Sequence, residues 1–215
     1  MIRGFIFDLD GVIVDSAKYH FLAWQRMAQA LGISFDEKDN EKLKGVSRAE
    51  SLELILEWGG QTLTDEEKQR WMTQKNDWYL EYIQGMKPSE LLPGAAEFIA
   101  SARRQGIRIA LGSASKNAQF ILRQTGLTEL FDHIVDGTVV TVSKPEPDVF
   151  LEGAQGLNLP PEQCLVFEDA EAGVEAARRG RMKVVGIGTH LPADITAENL
   201  GQLPSPTELI HQLDN

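Results

Sequence analysis

Short apolar runs and longer stretches of helical periodicity alternate along most of this chain. Ile2 to Phe7 is largely apolar and stops at Asp8, Asp10 and Gly11, the pattern of a fully buried strand that feeds a loop. Comparable runs recur at Arg108 to Gly112, His133 to Asp136, Cys164 to Glu168 and Lys183 to Ile187. Between them the spacing predicts helices over Gly94 to Gln105, Lys116 to Thr125, Pro147 to Gln155 and Ala170 to Arg179, with Gly106, Gly126, Gly156 and Gly180 as their stops. Strand and helix in alternation specify an α/β fold, a doubly wound, Rossmann-like parallel sheet with helices on both faces.

The rhythm breaks after the first strand. Residues 16 to about 87 hold no comparable apolar run and read as helices. Phe21, Trp24, Ala28 and Leu31 share one helical face before Gly32, and Ser47-Arg-Ala-Glu50 and Thr64-Asp-Glu-Glu67 both match a capping box at a helix start. All four tryptophans (Trp24, Trp58, Trp71, Trp78) and all three tyrosines (Tyr19, Tyr79, Tyr82) fall here. The expected organisation is an all-helical cap, residues 16–87, inserted into an α/β core made of 1–15 and 88–215. The stretch from Pro192 to Asn215 carries no usable motif.

Composition narrows the function classes. The 21 Lys and Arg against 32 Asp and Glu in 215 residues give a formal charge of −11, which argues against nucleic acid or an anionic membrane as partner. A single cysteine, Cys164, excludes an internal disulfide, and the four histidines have no metal-ligand spacing. No stretch approaches the roughly 20 apolar residues of a membrane span. The expectation is a cytoplasmic monomer acting on small molecules.

The chemistry gathers at the strand ends. Phe7-Asp-Leu-Asp-Gly-Val12 puts two acids just past the first strand, where a parallel sheet opens onto its ligand crevice. Leu111-Gly-Ser113, Ser143-Lys-Pro145 and Phe167-Glu-Asp169 occupy equivalent positions. Two carboxylates about 4 Å apart at an effective dielectric near 20 repel by roughly 4 kcal/mol, so Asp8, Asp10, Glu168 and Asp169 need compensation to converge. Oxygen ligands without sulfur or imidazole select Mg2+, which combines one or two carboxylates with waters and a substrate phosphate. Singly, Lys144 reads as a loop lysine and Ser113 as a helix N-cap; with the acids they put one hydroxyl and one lysine in the same crevice, which asks for a phosphate ligand.

These four motifs, in this order and with a helical segment between the first and second, resemble the haloacid dehalogenase superfamily and, more narrowly, its β-phosphoglucomutase family. The resemblance implies Asp8 as nucleophile and Asp10 as general acid and base, with Ser113 and Lys144 stabilising the transferring phosphoryl group. It implies Mg2+ held by Asp8, the Asp10 carbonyl, Asp169 and Glu168. In the cap region His20, the run Lys42-Leu-Lys-Gly-Val-Ser-Arg48 and Lys75-Asn76-Asp77, with Ser113-Ala-Ser-Lys-Asn117 of the core, resemble the same family. Arg48, Ser115 and Asn117 would take a distal phosphate with help from Lys116, and a guanidinium fork suits that task. Trp24 would line the substrate site, and His20 and Lys75 would couple cap closure to placement of Asp10. Read alone, His20 is a core histidine, Arg48 a surface arginine and Lys75 part of a charged helix face. The implied reaction interconverts β-D-glucose 1-phosphate and glucose 6-phosphate through an aspartyl phosphate and a β-glucose 1,6-bisphosphate intermediate. A sugar-phosphate phosphatase, or a mutase for another sugar phosphate, is the alternative.

Overall fold

The computed structural model describes every residue except Gly45, Thr141, Thr189 and Asn215. The glycine of the Lys42 to Arg48 run and the last residue of the C-terminal stretch therefore lie outside the described residues. Six strands form one parallel sheet: β1 (Gly4–Phe7), β2 (Arg108–Gly112), β3 (His133–Val135), β4 (Cys164–Glu168), β5 (Lys183–Ile187) and β6 (Ile195–Ala197), in the order β3-β2-β1-β4-β5-β6. The order reverses at β1, so the crevice of a doubly wound sheet opens beyond the carboxyl ends of β1, β2 and β4.

Alternation along the strands feeds two separate helical layers. Phe5, Phe7, Ile109, Leu111, Leu165 and Phe167 pack on one face against α5 (Ala95–Arg104), α6 (Ala118–Thr125) and the C-terminal α9 (Pro206–Asp214). Ile6, Ala110, Cys164 and Val166 pack on the other against α7 (Asp148–Gly156) and α8 (Glu171–Arg179). Because both faces are covered, the strands carry continuous apolar sequence. Phe7 and Phe167 stack with ring centroids 4.4 Å apart directly beneath the crevice. Each such ring buries a large area, so the strand ends above it sit on a rigid floor.

The cap comprises α1 (Ala17–Ala30), α2 (Glu37–Glu41), α3 (Arg48–Trp58) and α4 (Asp65–Ile83). Trp24, Met27, Ala28, Ile33, Phe35, Leu52, Ile55 and Leu56 form its own apolar cluster, while Ala23, Tyr79 and Ile83 join the core cluster. Thr64 makes the full capping box with Glu67; Ser47 accepts from the Glu50 amide without the reciprocal bond. The short α2, which the periodicity does not announce, starts on a capping box between Asp36 and Asp39. The two chain crossings between cap and core pair with each other through the Val14–Leu91 bridge and the bond from the Leu92 amide to the Ile13 carbonyl, 2.9 Å. Beside them, the Tyr19 hydroxyl donates to Glu90 at 2.6 Å.

One of the four expected glycine stops works otherwise. Gly106 and Gly126 adopt the left-handed conformation and Gly180 is the C-cap of α8, but α7 runs through Gly156, and Asn158 takes the positive φ after it. Gly156 is required by packing instead, since a Cβ there would overlap the His133 ring. The stretch after Pro192 supplies β6 and α9. No described helix is long and apolar enough to cross a membrane.

Candidate active site

Asp8 follows β1 at once, its amide donating to the Phe167 carbonyl at 2.9 Å, and its carboxylate is buried. Lys144 comes to it from the connection after β3, through a cis Lys144–Pro145 peptide. The side chain is 1% exposed and its ammonium lies 2.7 Å from both Asp8 Oδ1 and Glu168 Oε2. It sits behind Asp8, clamping two carboxylates, rather than on the wall of the open cavity. Burial penalises the charge, but the two acids outweigh this and hold the lysine pKa well above its usual range.

Asp8, Glu168 and Asp169 each present an oxygen within 4.8 Å of the others. Burial first, and neighbouring carboxylates second, push Glu168 and Asp169 above the usual carboxylate range. The backbone around them is cut away to fit: a Cβ at Gly11, where φ is +80°, would overlap the Asp169 carboxylate, and one at Gly173 would overlap Glu168. An all-oxygen donor set of this charge in this space fits Mg2+. Lys44, which the sequence reading passed over inside the Lys42 to Arg48 run, reaches down from the cap to Asp169 Oδ2 at 3.3 Å and to Glu41 at 3.0 Å.

The Asp10 carboxylate is turned away from this cluster and accepts a hydrogen bond from the Ser16 hydroxyl. Ser16 stands at the N-cap position of α1 yet gives the helix no side-chain cap, because its hydroxyl is committed to Asp10. Desolvation, followed by the Asp8 charge, raises the Asp10 pKa to about 7 against the lowering effect of Ser16. Three of the four expected acids thus converge, and the fourth stands apart with a perturbed proton affinity.

Lys75 is buried in the cap, with its ammonium 4.3 Å from the Trp24 ring centroid and 3.1 Å from His20 Nδ1. With the lysine donating, Nδ1 accepts and the His20 proton resides on Nε2. Burial, then the surrounding cations, pull both pKa values well down. His20 also stacks against Tyr79, 4.2 Å between centroids. The surface-face reading of Lys75 is therefore excluded by its burial.

The loop after β2 is built from serine hydroxyls that accept backbone amides: Ser113 Oγ from Ser115 at 3.1 Å and Ser115 Oγ from Asn117 at 3.2 Å. Helix α6 then starts at Ala118, two residues later than the periodicity suggested, with Asn117 as an N-cap that makes no side-chain capping bond. Asn117 Nδ2 and Arg48 Nη2 instead both donate to Asn76 Oδ1, at 2.9 and 2.7 Å. The Ser47 amide donates to Ser143 Oγ at 3.2 Å, a further tie between cap and core. One cavity of about 420 Å³ is lined by Asp8, Asp10 and Asp169 together with Arg48, Lys75, Ser115, Lys116 and Asn117, and with His20, Trp24 and Lys44.

Comparison with known proteins agrees with this architecture. The haloacid dehalogenase-like hydrolase family matches residues 2–181. The β-phosphoglucomutase of Bacillus subtilis is 43% identical over 98% of this chain and 95% of its own length. A Thermotoga maritima phosphorylated carbohydrates phosphatase is 31% identical over 85% of this chain and 83% of its own. The crystal structure of a β-phosphoglucomutase from Clostridium difficile superposes with a TM-score of 0.94 at 40% identity, covering 99% of this chain and 96% of that one. With its parallel sheet, its acids beyond β1 and β4 and its helical cap, the chain belongs to the haloacid dehalogenase-like hydrolase family.

Proposed function

We propose that the protein is a phosphomutase that interconverts β-D-glucose 1-phosphate and glucose 6-phosphate by way of β-glucose 1,6-bisphosphate, with Mg2+ as cofactor. The observation that carries this reading is a single cavity lined by two sets of groups. One is the acids Asp8 and Asp10; the other is Arg48, Ser115, Lys116 and Asn117, supplied by the cap and the β2 loop. Hydrolysis of a monophosphate needs only the first set; a sugar that carries two phosphates needs both. The likeness to the Bacillus subtilis enzyme over nearly the whole chain supports the same choice over a phosphatase.

In this reading the Asp8 carboxylate is the nucleophile. Its oxygen bonds to phosphorus while the bond from phosphorus to the sugar oxygen breaks, and Asp10 gives its proton to that leaving oxygen. In the other half-reaction the phosphoryl group passes from Asp8 to a sugar hydroxyl whose proton returns to Asp10. A general acid works best with a pKa near the operating pH, and about 7 meets that condition. Lys144 fixes the Asp8 oxygen it binds, and Ser113, just past β2 and on the wall of the same cavity, would contact the transferring group. Asp8, Glu168 and Asp169 would hold Mg2+, together with the Asp10 carbonyl. When bound, the ion lowers the repulsion between the carboxylate nucleophile and the phosphoryl oxygens.

His20 and Lys75 lie on the cap side of the cavity with Trp24, so cap closure brings a dense set of polar groups over the sugar and excludes water. The proposal also includes a cytoplasmic monomer with small phosphorylated sugars as its only partners. Its test is the Asp8→Ala variant, which should keep its circular dichroism spectrum, lose glucose 6-phosphate formation, and fail to gain the mass of one phosphoryl group on incubation with the bisphosphate. Retained turnover would disprove covalent catalysis at this position.

A further inference from the structure

Asn76 occupies a junction that neither the reaction nor the fold accounts for. It lies in the middle of α4, one residue beyond the buried Lys75. Its amide oxygen accepts at once from Arg48 Nη2, at the start of α3, and from Asn117 Nδ2, at the N-cap of α6. Those donors stand 28 and 41 residues away in sequence, one in the cap and one in the core. An amide oxygen has two lone pairs, and here both are used. No carboxylate forms an ion pair with Arg48 among the described residues. The acceptor on which the two donors converge is therefore a neutral oxygen.

We propose that Asn76 is a positioning and selectivity residue: its amide oxygen holds Arg48 and Asn117 together across the domain boundary and releases them only to a phosphate dianion. This rests on the reading of Arg48 and Asn117 as distal-phosphate ligands. The bond from the Arg48 guanidinium to the amide oxygen is already charge-assisted on the donor side, and a phosphate dianion adds the attraction of opposite charges and a bidentate match, so a phosphate displaces the amide oxygen where a neutral hydroxyl does not. A carboxylate at position 76 would pair with Arg48 as strongly as the ligand does and would repel it. Asparagine gives the donors a common aim without competing for the site.

The test compares Asn76→Asp, Asn76→Ala and Arg48→Ala by steady-state kinetics with β-glucose 1,6-bisphosphate varied, after circular dichroism has confirmed folding. N76D should raise KM for the bisphosphate at least tenfold with kcat changed less than threefold, and N76A should raise it by a smaller factor. Should N76D not fold, N76A alone decides, with a threefold rise in KM as the threshold. A merely structural role would lower kcat and leave KM alone, and that result would overturn the proposal. If R48A raises KM while neither Asn76 variant does, the distal site stands and the role of Asn76 is refuted. If R48A leaves KM unchanged, the distal-phosphate reading itself fails, and the proposal with it.

Discussion

Replacing Lys144 by methionine tests the electrostatic design of the site without reference to turnover. The side chain is 1% exposed and its ammonium lies 2.7 Å from oxygens of both Asp8 and Glu168, with the Phe150 ring 4.7 Å away. Methionine keeps the apolar stem and removes the charge. Carboxylates whose oxygens lie within 4.8 Å then face each other unpaired. At that separation and an effective dielectric near 20 the repulsion is about 3.5 kcal/mol for each pair. Breaking one partner out of a buried pair costs about 3–5 kcal/mol, the same range. At roughly 2–4 °C per kcal/mol for a chain of this size, Tm in EDTA at about pH 7.5 should fall by roughly 6–20 °C.

The sign of the pH dependence follows from the acids. Glu168 and Asp169 have folded pKa values above the unfolded ones, so between those values the native state holds protons that the unfolded chain has lost. Their contribution is favourable at low pH and is lost as pH rises through the folded values. Without Lys144 the acids hold protons still more tightly, so the gap between variant and parent should widen with pH and narrow toward about pH 5. Added Mg2+ should recover part of the lost stability. Differential scanning calorimetry across pH, with EDTA or Mg2+, makes the measurement. A Tm within about 2 °C of the parent at about pH 7.5 in EDTA, or a gap that ignores pH, would refute the reasoning.

Three further outcomes are expected. Ser16→Ala removes the hydroxyl that stabilises the charged form of Asp10; the Asp10 pKa rises, and the pH profile of kcat/KM should shift its Asp10 limb to higher pH, an unmoved limb speaking against this role. Gly173→Ala drives a methyl into the Glu168 carboxylate, so calorimetric titration should show Mg2+ affinity weakened by about tenfold or more, equivalent to roughly 1.4 kcal/mol; unchanged affinity would exclude Glu168 as a ligand. Lys44→Met removes a cation from beside Asp169 and should tighten Mg2+ binding in the same titration, because the ion no longer competes with a fixed positive charge for that carboxylate; weaker binding would contradict competition.

The sequence made the doubly wound core legible because its strands are buried on both faces and read as unbroken apolar runs. β6 escaped for the opposite reason: Ile195–Ala197 is a three-residue edge strand with every position at least partly accessible. α9 begins at Pro206 and buries little beyond Leu209 and Leu213, too short a stripe to register as periodicity. Gly156 reads as a helix stop because glycine usually is one there, whereas α7 runs through it and Asn158 carries the turn. In the site, Asp8, Asp10, Glu168 and Asp169 announced themselves as acids at strand ends. Lys44, Asn76 and Gly173 did not, since each acquires its meaning from a partner on another element. Gly173 is an ordinary helix residue until the Glu168 side chain lies against it. Ser16 has the same limit: its hydroxyl acquires its role only from Asp10, on the other side of the cap boundary.

The central claim is that the cavity returns a phosphoryl group to sugar rather than to water. Its most direct test supplies the wild-type protein with Mg2+, β-glucose 1-phosphate and a trace of β-glucose 1,6-bisphosphate, and follows glucose 6-phosphate and inorganic phosphate separately in one time course. Glucose 6-phosphate should accumulate in proportion to the substrate consumed, with inorganic phosphate a minor product. Release of inorganic phosphate in step with substrate loss, without glucose 6-phosphate, would contradict the account.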